Sequence, residues 1–169
     1  MNTALTIAGA TVSGAVLIIN VRSWWKGSRE LKALVPYGGG LVTGASWTLC
    51  IGGALGAVAV QAVEMNNKLG GKAVHAATGA TNGGGTLAHG SMGALSYPGA
   101  CAVLVAAIVG GIVWKAAGKT DKKRMFGGVL SGLTLCATAG FAQVMAWVPD
   151  LYNTLGEQAV NVLNGGLSL

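Results

Sequence analysis

Charge is missing from most of this chain, and that absence decides its fold class. Eleven Lys and Arg and five Asp and Glu leave four intervals with none: residues 1–21, 33–63, 73–114 and 125–149. Within these lie apolar runs at about 4–21, 41–63, 97–114 and 125–148. Each is close to the roughly 20 residues that carry a helix across a bilayer core. A soluble bundle of four helices must turn a polar face of every helix to water, and these runs are Ala, Val, Leu, Ile and Gly all round. Charged residues make up 9% of the 169 positions, against about a quarter in soluble domains. The expectation is an all-α polytopic membrane protein. It forms a single membrane domain over 1–169, with four transmembrane helices, a polar outer loop 64–96 and an outer tail 149–169. The first run has no basic residue before Arg22, so it reads as an uncleaved anchor rather than a secretory signal.

The little charge there is sets the threading. The connection after the first run holds Arg22, Lys26, Arg29 and Lys32, and the one after the third holds Lys115, Lys119, Lys122, Lys123 and Arg124. The segments 64–96 and 149–169 hold two basic residues and none. Lys and Arg near span ends stay on the cytoplasmic side, so nine against two places both short basic loops inside the cell. Both termini then lie outside, and the protein is expected to be integral to the cytoplasmic membrane. The basic loops can also attract an anionic lipid or an acidic partner. They are short and lack a nucleic-acid reading fold, which argues against nucleic acid as a partner.

Twenty-nine glycines fall into a pattern. Gly40, Gly44, Gly52 and Gly56, with Thr48 between, recur every four residues along the second run. Ala102, Ala106 and Gly110 do so along the third, and Gly128, Gly132 and Gly140, with Cys136 between, along the fourth. Four-residue spacing puts small side chains on one helix face, where backbones approach closely. These positions are expected to pack helices together, within one copy or between copies of a homo-oligomer. A glycine-rich chain makes such stripes by chance, but three runs share the feature.

No chemistry of a reaction can be read from the residues. The spans contain no ionisable residue of the kind that marks a transport path. Gln61 and Gln143 are placed to hydrogen-bond across helices. His75 and His89 have no acid or cysteine partner at metal-ligand spacing and read as solvent-facing residues of a flexible loop. Cys50, Cys101 and Cys136 read as buried free thiols. No catalytic residue, metal or cofactor is expected, and the chain is read as a non-enzyme. After the fourth run, "PDLYNTLGEQAVNVLNGG" reads as a short amphipathic helix capped by Asp150, with Leu151, Leu155, Val162 and Leu163 on one side.

The segment 97–148, beginning "YPGACAVLVAAIVGGIVWKAAGKTDKKRMFGGVLSG", resembles the helical hairpin of type IV secretion and conjugation major pilins. In that family two apolar helices flank a small basic cytoplasmic loop, and subunits leave the membrane to build a filament. Two further spans before the hairpin depart from the family. Phage holins are similar in being small, apolar and basic-looped. The expected function is a self-associating structural or pore-forming subunit, pilin-like or holin-like, from a phage or mobile element. The alternative is an accessory anchor or regulator of a larger secretion, conjugation or virion machine.

Overall fold

The computed structural model describes residues 4–27, 30–81 and 84–166. They form α1 (Ile7–Lys26), a 3-10 turn (Leu31–Ala33), α2 (Val35–Thr48), α3 (Gly53–Thr78), α4 (Tyr97–Ala116), α5 (Lys119–Leu135), α6 (Ala139–Val144) and α7 (Trp147–Leu163). The described fold is all-helical. α1 and α4 are long and apolar enough to cross a membrane, while α2 and α3 pass that test only as a pair bent by 108°.

The expected span 41–63 is therefore two helices. α2 stops at Thr48, and Gly53 opens α3 at φ 72°, a conformation that costs glycine little. At 14 residues, α2 is about 21 Å long, short of a hydrocarbon core of roughly 30 Å. α3 then continues through residues 64–78, which the sequence assigns to an outer loop. It ends at Gly79, left-handed at φ 73°, whose N–H donates to the His75 carbonyl at 2.8 Å.

The span 125–148 is divided as well, and here the cause is tertiary. At residues 136–138 the Gly90 N–H donates to the Ala137 carbonyl at 3.0 Å, and the Ala139 N–H donates to the Ala88 carbonyl at 2.9 Å. A passing segment thus takes hydrogen bonds that a continuous helix would make. The same segment is held at its other end, where the Ile7 N–H donates to Gly85 at 3.1 Å and the Leu87 N–H to Leu5 at 2.8 Å. Residues 84–90 are tied between α1 and the α5–α6 turn, where composition alone suggests a flexible tract.

Contacts of the first half recur in the second. The Thr6 hydroxyl caps α1 at the Gly9 N–H, and the Ser96 hydroxyl caps α4 at the Gly99 N–H. The Asn67 side-chain oxygen accepts from the Thr6 N–H at 2.9 Å and hydroxyl at 3.0 Å, and that of Asn153 accepts from the Ser96 N–H at 2.9 Å and hydroxyl at 3.1 Å. Gly70 lies against Ala8, and Gly156 against Pro98. The sequence shows the same correspondence: "NKLGGKAV" at 67–74 matches "NTLGEQAV" at 153–160, and "TLC" ends at both Cys50 and Cys136. Each half is an apolar helix, a basic turn, a glycine-bearing helix, a break, and a helix that docks back on the first.

Candidate functional site

The two halves meet where α2 crosses α5. A Cβ on Gly40 would strike the Met125 carbonyl and one on Gly128 the Tyr37 carbonyl; Gly44 stands likewise against Val129, and Gly132 against Leu41. The contacts are reciprocal, residue for residue, as at the interface of a twofold dimer. Both helices run the same way along this seam. Backbone touches backbone there, which leaves no passage between them.

The other small residues of the stripes are placed differently. Gly56 packs on the carbonyl of Cys50 within the α2–α3 elbow, while Gly52, Gly110 and Gly140 have no atom within 4 Å of where a side chain would start. Ala102 and Ala106 pack on a core cluster with Ala45, Val103, Val148 and Tyr152. Thus four of the ten positions form one intrachain seam, and Gly110 faces an opening.

Around the seam the halves diverge. In the first, a buried donor chain runs from the Asn66 side-chain NH₂ to the Ser13 hydroxyl at 2.7 Å, from Ser13 to Thr134, and from the Thr134 hydroxyl to the Leu130 carbonyl at 2.7 Å. Asn66 is 1% exposed and its side-chain oxygen has no partner among the described residues. The corresponding positions of the second half, Val103 and Tyr152, belong to the apolar cluster. α1 therefore lies close along α5, whereas α4 packs mainly on α7 and leaves α2 toward its own C-terminal end.

That splay opens an apolar cavity of about 440 Å³, with Trp47, Gln61, Met65, Gly110, Trp114 and Phe126 among its walls. Trp114 and Phe126 meet edge to face at its basic end, with centroids 6.2 Å apart. The Trp47 indole N–H has no partner among the described residues. No ionisable side chain lines the cavity, so its walls suit an apolar group.

The basic residues 115–124 of the α4–α5 turn differ in exposure. Lys115, Lys119 and Lys123 are exposed and Lys122 is half-buried; Arg124 donates to the Ala33 carbonyl at 2.9 Å, joining this turn to the first basic connection. Arg29 lies outside the described residues. His75 and His89 are both exposed, and no three His, Cys, Asp or Glu come together among the described residues. Gln61 and Gln143 are exposed and do not bond to each other. Cys136 is buried, Cys50 is half-buried, and Cys101 is exposed on α4, so the expectation of three buried thiols is corrected. α7 docks through Val148, Tyr152 and Gly156, leaving Leu151, Leu155, Val162 and Leu163 exposed; Asp150 lies in its first turn and does not cap it. No family model, curated protein or solved structure matches this chain.

Proposed function

We propose that the chain is a non-enzymatic integral protein of the cytoplasmic membrane that works as a self-associating structural subunit. α1 and α4 are full-length membrane crossings; α2 and α5, each shorter than the hydrocarbon core, complete two further crossings beside them together with the breaks that follow at residues 49–52 and 136–138. α3 and α7 are amphipathic crossbars at the outer face, both basic turns are inside, and both termini are outside. The pilin-like and holin-like assemblies of phages and mobile elements are the models for such a subunit.

One observation carries the reading. α4 buries only Gly99 and Val103, while Leu104, Val105, Ile108, Val109, Ile112 and Val113 are exposed. With the α2–α5 seam occupied inside the chain, this face and the neighbouring cavity are left for a second copy. A pore, on this reading, would form between copies and not along the seam.

The test is oxidative cross-linking of a chain with Ile108→Cys and its native cysteines changed to Ala, in native membranes. Assembly through α4 predicts a dimer band that Gly110→Leu abolishes; monomer alone, with mild-detergent extraction also giving monomer, would refute it. The accessory-anchor reading predicts instead one stoichiometric partner in pull-downs, lost when Lys122, Lys123 and Arg124 become Gln.

A further inference from the structure

A concavity of about 440 Å³, lined by Ile19 together with polar and charged residues, lies where the C-terminal end of α1 meets the first turn of α5. Asn20 and Ser23 supply one wall, and Lys119, Thr120, Lys123 and Arg124 the other. Ser23, Lys119, Thr120 and Lys123 have no side-chain partner among the described residues. Arg124 commits one arm to the Ala33 carbonyl, and Asn20 donates to the Val16 carbonyl at 2.8 Å. Asp121, on the same turn, is not in the lining. α5 begins after Gly118 without a side-chain cap, so its first N–H groups add to the positive field.

The duplication supplies a comparison at the level of sequence positions. At the equivalent sequence positions of the other half, Asn20 is matched by Gly110 and Ser23 by Val113. Lys119, Lys123 and Arg124 are matched by Leu31, Val35 and Pro36, leaving Lys32 opposite Thr120 as the one cation. The repeat thus carries mostly apolar residues at these positions, where α4 stands away from α2 and, among the described residues, closes no second corner. Three cations and three hydroxyl or amide groups around a concavity are what a phosphate ester requires: charge, and several donors converging on its oxygens.

We infer that this corner binds a phosphate ester. It lies at the end of α1, the level where headgroups meet a membrane-spanning helix, and in this respect the inference rests on the membrane reading above. The source is the headgroup of an anionic phospholipid or a soluble phosphate ester, and the two are separable.

The test uses the full chain in uncharged detergent micelles, with the thermal unfolding midpoint followed during titration with dioctanoyl phosphatidylglycerol or glycerol phosphate. A saturable rise is expected. Two cations removed at about 1 kcal/mol each weaken it about 30-fold in Lys119→Gln/Lys123→Gln. Both lysines are exposed, so the variant keeps its fold, and a Lys68→Gln/Lys72→Gln control of equal charge responds as the parent does. A response to the lipid alone identifies a headgroup site; equal responses identify a soluble ester. The inference fails if neither probe saturates, if the double variant binds as the parent does, or if the control loses as much. Should the chain prove stable without detergent, the membrane reading falls while the glycerol phosphate titration still decides the site.

Discussion

Gly132 and Gly110 have the same side chain and opposite surroundings. A methyl group at 132 meets the Leu41 carbonyl, whereas one at 110 meets nothing within 4 Å. Gly132→Ala should therefore lose about 1–3 kcal/mol of stability through forced separation of the seam, and Gly110→Ala should leave it unchanged, as read by reversible unfolding in mixed micelles. Asn67 and Asn153 make the same pair of bonds in the two halves. Changing either to Ala strands an N–H and a hydroxyl, and each should cost about 1–3 kcal/mol, with similar values for the two. A large inequality would mean that the repeated contacts do not carry repeated energies. The seam glycines were legible because a four-residue period is a statement about one helix face. Asn66 was not legible, since nothing local distinguishes an asparagine that ends up 1% exposed from one in water.

At the scale of elements, the breaks decide the architecture. Hydropathy averages over residues 41–63 without sensing that the chain turns at Gly52 and Gly53, although that glycine pair is a turn signal. No comparable signal exists at 136–138, where hydrogen bonds from residues some fifty positions earlier interrupt the helix. The sequence therefore yields four apolar runs and the C-terminal helix α7, but not α3, whose C-terminal half it assigns to a loop. If α3 lies on the outer surface, Lys68→Cys and Lys72→Cys should react in intact cells with a membrane-impermeant maleimide, and Lys119→Cys and Lys123→Cys should react only after permeabilisation. Labelling of both sets from the same side would overturn the proposed threading.

At the scale of the whole molecule, the duplication explains most of the contacts. Its offset slips from 90 residues at Thr6 and Ser96 to 88 at Gly40 and Gly128 and 86 at Asn67 and Asn153, so no single period aligns the halves. Because the halves share one principal seam, fragments 1–82 and 83–169 should co-purify when expressed together, and Gly44→Leu should separate them. Parallel repeats of this kind are related by an axis along the membrane normal. Both α3 and α7 dock at the N-terminal ends of α1 and α4, which puts both crossbars on one side of the proposed bilayer. In that proposed topology their bulk would displace lipid in one leaflet, with no counterweight in the other. Such a wedge favours a bilayer bowed toward the crossbar side, so the protein should enrich in small vesicles over large ones of identical lipid, and many copies side by side would themselves bend the sheet that carries them.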